Sequence, residues 1–167
     1  MDAATGALRR FLDAQRQRVF TILDGLSEDA LRRPALPSGW TCLQLVNHLA
    51  AEERLWFRGI VAGEPVALPE STRDDAAEWR VDPGEPVAAV LDRYREEIRL
   101  SDAILAAVPF DAHPRRRFER LPDWEIRDVR WVVLHMIEET ARHLGHLDAA
   151  RELLDGRTGL AQDRTPD

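Results

Sequence analysis

The sequence predicts an all-α protein, a four-helix bundle with long connecting loops, on three observations. Four segments repeat their apolar residues at alternating spacings of three and four. No segment shows the two-residue period of a strand with comparable quality. Proline and glycine clusters separate the four segments. Amphipathic helices without a sheet must bury their stripes against one another, and a bundle is the architecture that does so.

The first helix follows from Leu8, Leu12, Gln15, Val19, Ile22 and Leu26, supported by Phe11 and Leu23, and spans about Ala3 to Asp24. Gly25 lies near its end. Ser27, followed by Glu28, Asp29 and Ala30, opens a short helical turn, and Pro34 to Gly39 is a loop. Thr41 with Gln44 three residues later is a capping-box signature, so a second helix starts there and runs to about Val61. Leu45, Leu49, Glu52, Trp56 and Ile60 set its inner face, with His48 at one edge.

Ala62 to Pro86 carries four prolines and two glycines among acidic residues and Trp79, and reads as a long loop able to wall a pocket. Pro86 suits the first turn of a third helix whose stripe is Val87, Val90, Leu91, Tyr94, Ile98, Ser101, Leu105 and Val108. Phe110 to Arg127 follows, with His113 as a loop ligand candidate and Arg115, Arg116 and Arg117 as a solvated basic run. Asp128 caps the fourth helix, and Gly156 stops it after Asp155.

The chain of 167 residues fits one domain, with about ten residues at the end reading as a tail. A net charge of −7 argues against a nucleic-acid backbone or an anionic membrane as the main partner. No apolar run approaches the length that spans a bilayer. The single cysteine, Cys42, excludes an internal disulfide, and no basic-then-apolar leader opens the chain; a reducing cytoplasm is the expectation. Cys42 itself reads as a buried small residue. All 23 basic residues are arginine, a sign of GC-rich coding such as that of actinobacteria.

The chemistry concentrates in WVVLHMIEETARHLGHLDAARELLDG, from Trp131 to Gly156. On a helix, His135, Glu139, His143 and His146 fall within an arc of about 80°. One metal ion cannot use all four, because His135 and His143 are about 12 Å apart along the axis. The pairs one turn apart are His135 with Glu139, Glu139 with His143, and His143 with His146. His143 belongs to two of them and lies deepest in the apolar stripe. A third ligand must come from elsewhere, and His48 points where the His143 face can meet it. The plain alternative is that these histidines are buried and hydrogen-bonded.

PSGWTCLQLVNHLAAEERLWF, from Pro37 to Phe57, and HMIEETARHLGHLDAARELLDG, from His135 to Gly156, resemble the second and fourth helices of the DinB/YfiT-like superfamily of bacterial metalloproteins. That superfamily includes mycothiol-dependent maleylpyruvate isomerase and the mycothiol and bacillithiol S-transferases. The resemblance implies a four-helix bundle holding a divalent metal, zinc or nickel, through one residue of the second helix and two of the fourth. Many members carry two histidines four apart in the fourth helix. Here those positions are Glu139 and His143, and the maleylpyruvate isomerase branch is similar in using Glu and His. The implied ligands are His48, Glu139 and His143. His146 stands where many relatives have glutamine, as an outer residue, a base or a replacement ligand.

The expectation is therefore a metal-dependent S-transferase that activates a low-molecular-weight thiol such as mycothiol against a small electrophile. His146 or Glu52 would relay the proton, and Trp40 and Tyr94 would line the pocket, although core packing also explains Tyr94. Trp56 and Trp131 flank the same segments. A metal-dependent hydrolase of amides or esters and a non-catalytic metal-stabilised bundle are the alternatives. A homodimer is implied by the resemblance alone.

Overall fold

A computed structural model of the chain describes residues 2–66, 79–116 and 126–158. Among these residues every regular element is helical. Helix α1 is Ala3–Leu23, α2 Glu28–Arg32, α3 Cys42–Glu53, α4 Val87–Ala107 and α5 Val129–Asp155. Helix α3 runs on into a π-helical segment, Arg54–Val61. Helix α1 packs on α5 and α3 on α4, and α3 also meets α5. The chain is thus an all-α bundle of four long helices with the short α2 inserted. The last residues, 159–167, read from sequence as a tail, lie outside the described ones.

Local chemistry sets the helix ends. Thr41 Oγ1 accepts from the Gln44 amide at 3.1 Å, and Gln44 Oε1 accepts from the Thr41 amide at 3.0 Å, completing the capping box. Asp128 accepts from the Trp131 amide at 2.8 Å. Gly156 closes α5 at φ 79°, a left-handed conformation that glycine adopts without a Cβ clash. Pro86 occupies the N-cap of α4, one position before the first turn.

Two apolar clusters build the core. One gathers Val19, Leu45, Leu49, Tyr94, Leu144 and Leu147; the other gathers Leu12, Trp56, Phe57, Ile60, Val132 and Met136. Between them each long helix contributes one fully buried polar residue: Arg16, Glu53, Ser101 and Thr140. Arg16 Nε and Nη2 donate to the two oxygens of Glu53, both at 2.7 Å, and its Nη1 donates to Asp102 on α4 at 2.8 Å. Burial works against the Arg16 charge, but the Glu53 carboxylate outweighs it and holds the guanidinium protonated above its ordinary range.

This layer corrects the expected inner faces. Arg16, not Gln15, fills the α1 stripe, and Phe11 is 61% exposed. On α3 it is Glu53, not Glu52, that is buried. The π segment that follows adds a residue to each turn, so a period of 3.6 read through from Leu45 to Ile60 drifts.

Arg151 joins the two packed helices at their far end. It is buried on α5, and its Nη1 donates to the carbonyls of Ile22 and, at 2.8 Å, Asp24, where α1 runs out of intrahelical partners. Arg151→Ala is expected to lower the unfolding free energy by about 2 kcal/mol in a urea titration, because charge-assisted bonds to buried carbonyls are lost together.

Candidate metal centre

The capping box starts α3 at Cys42 and thereby fixes the turn on which His48 emerges toward α5. Helix α5 places Glu139 and His143 on successive turns of the face that meets it. The three side chains converge. Glu139 Oε1 accepts from His143 Nε2 at 2.8 Å and lies 3.3 Å from His48 Nε2. One potential ligand atom from each residue lies within 4.8 Å of the others, and among the described residues this is the one such cluster of three. His48 and His143 are buried, and Glu139 is partly exposed, with its second oxygen 4.0 Å from the exposed Arg142.

The bond from His143, and then that from His48, hold the Glu139 carboxyl far below the usual carboxylate range, against the opposing effect of burial. The group is an anion at any physiological pH. A carboxylate with two imidazoles aimed at one of its oxygens is a hard-and-borderline donor set that suits a divalent ion such as zinc or nickel.

An aromatic wall closes one side. Trp79 stacks on His48 with ring centroids 4.1 Å apart and planes 13° apart, and Trp40 stacks on Trp79 at 4.4 Å and 15°. Trp40 also meets His146 edge-on at 5.7 Å. Trp79 belongs to the long loop expected to wall a pocket, of which residues 67–78 lie outside the described ones. Asn47 Nδ2 donates to the Arg80 carbonyl at 3.3 Å, and Arg93 bridges Asn47 to Glu85, so α3 and α4 hold this end of the loop beside His48.

The other candidates fall at graded distances from the trio. His146 lies one turn beyond His143, ring centroids 5.7 Å apart, and is not one of the three. The Nδ1 atoms of both are buried without a protein hydrogen-bond partner among the described residues. Glu52 accepts from Trp56 Nε1 at 2.8 Å. His135 sits between Trp56, at 4.4 Å, and Trp131, at 5.5 Å, and burial pushes its pKa down in spite of Glu139 and Glu138.

Tyr94 is fully buried in the core against Phe20, and burial, helped by the Glu53 charge, raises its hydroxyl pKa well above the ordinary value. His113 is exposed and its Nδ1 donates to the Arg127 carbonyl at 2.6 Å. Arg115 and Arg116 are exposed, their amides donating to Val61 and Ile60, whereas Arg117 lies outside the described residues. A cavity of about 590 Å³ at the start of α1, lined by Arg9, Leu105, Phe110 and Arg130, includes none of the trio.

Two imidazoles and a carboxylate converging from two helices of an all-α bundle define a helical-bundle protein with a candidate divalent-cation centre. The profile of the mycothiol S-transferase family matches residues 7–156, a span that contains the whole cluster, and the chain belongs to that family and through it to the DinB/YfiT-like superfamily. No curated protein and no solved structure matches the chain. Among the described residues no helix is long and apolar enough to cross a membrane.

Cys42 stands apart from this chemistry. It is 2% exposed, and burial raises its thiol pKa, which leaves less thiolate at any given pH. At pH 8 a thiol-specific reagent is expected to label the native protein at least about tenfold more slowly than the denaturant-unfolded chain.

Proposed function

We propose that the chain is a divalent-metal-dependent S-transferase that joins a mycothiol-type thiol to a small electrophile. The family supports the thiol and a small-molecule substrate at its own level of detail. The single observation that carries the metal-dependent reading is the convergence of His48, Glu139 and His143 from two helices. Three protein donors suit a catalytic ion, because a structural zinc site takes four.

His48, Glu139 and His143 hold the ion. When bound, zinc or nickel supplies a Lewis acid that favours the thiolate form of a bound thiol. Glu139 contributes one negative charge to the donor set and orients both imidazoles through the same oxygen. Trp79 and Trp40 exclude water from the His48 side and lower the local dielectric, which strengthens each of these charge interactions. His146, beside His143, takes the thiol proton. The sulfur electron pair then forms the carbon–sulfur bond to the electrophile, and the leaving group departs with its own pair. Glu52, engaged by the Trp56 indole, is a second proton acceptor on the opposite helix.

The test is reconstitution with zinc or nickel, followed by conjugation of mycothiol to a fluorescent electrophile. Turnover is expected only with both metal and thiol, and His48→Ala is expected to weaken metal affinity by at least about 100-fold and abolish conjugation while the far-UV circular dichroism is retained. Full metal loading with no thiol-dependent turnover, or thiol-independent hydrolysis of an ester or amide, would overturn the reading in favour of a binding protein or a hydrolase.

A further inference from the structure

The metal-centre reading leaves the most deeply buried charges in the molecule unused. Arg16 and Glu53 are both fully buried, and neither touches the His48, Glu139 and His143 cluster. A desolvated ion pair is weak evidence for stability, since apolar side chains of the same volume usually do as well or better. Its best-attested use is to fix register, because only one alignment of the helices satisfies both partners.

Register is what this site requires. His48 comes from α3, and Glu139 and His143 come from α5. A slide of α3 by one residue's rise, about 1.5 Å, would break the 3.3 Å contact of His48 with Glu139, whereas the 2.8 Å contact of His143 lies within α5 and would stay. Apolar packing alone tolerates such slips better than paired hydrogen bonds do. Glu53 sits on the turn after His48, at the junction where α3 passes into the π segment. Arg16 reaches it from α1, the helix packed on α5, and binds Asp102 on α4 with the remaining nitrogen. The Arg16 guanidinium also lies 5.6 Å from the Phe57 ring, within the π segment. The four residues that divide the core therefore lie at the level where α5 turns from Thr140 to its neighbour Glu139.

We propose that Arg16 and Glu53 are positioning residues: their paired hydrogen bonds set the axial register of α3 against α1 and α4 and so hold His48 at the distance from Glu139 and His143 that a shared divalent ion needs. This rests on the metal-dependent reading above and adds to it two residues outside the ligand set.

The experiment compares wild-type protein with R16M/E53L, which replaces the pair by apolar side chains of similar reach. The measurements are the zinc Kd by chelator competition, the visible spectrum of the cobalt(II) form, which reports ligand geometry, and Tm without metal. The expected result is a Tm at or above wild type, a zinc Kd raised at least tenfold and an altered cobalt spectrum. An unchanged Kd and spectrum in a folded double variant overturn the proposal.

Should R16M/E53L not fold, Arg16→Lys keeps a cation opposite Glu53 but loses the second parallel bond, and the same Kd and spectral comparison decides. A loss of Tm with Kd and spectrum intact means that the pair is merely structural, which also overturns the proposal. Wild-type protein that binds neither zinc nor cobalt would instead remove the metal-dependent reading and this inference with it.

Discussion

One carboxylate oxygen answers to two helices. Glu139 Oε1 accepts from an imidazole one turn along its own helix and faces a second imidazole brought by α3. The first contact is local and follows from helix geometry. The second depends on the whole bundle, because nothing in α5 can place α3. Every longer-range feature near the site can be understood as answering that requirement: the capping box that fixes where α3 begins, the polar layer that fixes its register, and the Asn47 and Arg93 contacts that bring Trp79 onto the far side of His48.

The π-helical segment is part of the same solution. A π-helical run of this length is rare, and here both of its ends are held. At the near end Glu53 is locked by Arg16. At the far end the carbonyls of Ile60 and Val61 accept from the amides of Arg116 and Arg115, and Arg58 pairs with Glu64 and Glu97. The extra residue per turn rotates Trp56, Phe57 and Ile60 inward together, and the lower apolar cluster closes around them. Wherever the ladder returned to α geometry, that cluster or the Glu53 pair would lose its alignment.

Features governed by local rules were legible in the sequence. Thr41 with Gln44, Asp128, Gly25 and Gly156 mark helix ends through hydrogen bonds or backbone conformations that involve only near neighbours, and each is found there. The i, i+4 spacing of Glu139 and His143 is equally local. What stayed hidden involves charged residues inside apolar stripes. Arg16 and Arg151 carry no sequence signal for burial, because hydrophobic periodicity assigns a charge to the outer face, and only the tertiary partner, Glu53 for one and the end of α1 for the other, reverses that sign. Glu53 was displaced by Glu52 for a related reason: with no signal for a π turn, one uninterrupted period fits Leu45 to Ile60. The stack of Trp79 on His48 could be sensed only as a tryptophan in a long loop, since no periodicity links the two positions.

The cluster also differs from a structural metal site in what holds the chain together without an ion. Two apolar clusters and the hydrogen bonds of Arg16 to Glu53 and Asp102 already unite the helices, and the three donors meet through Glu139 Oε1. A small zinc-dependent domain lacks that reserve and unfolds when the metal is removed. Here an ion entering the cluster would replace hydrogen bonds among donors that the fold has already oriented, so its binding free energy need not pay for ordering the chain. On the proposed reading, an ion held by these three side chains would keep a position open to a small molecule able to compete with water beside a wall of tryptophan.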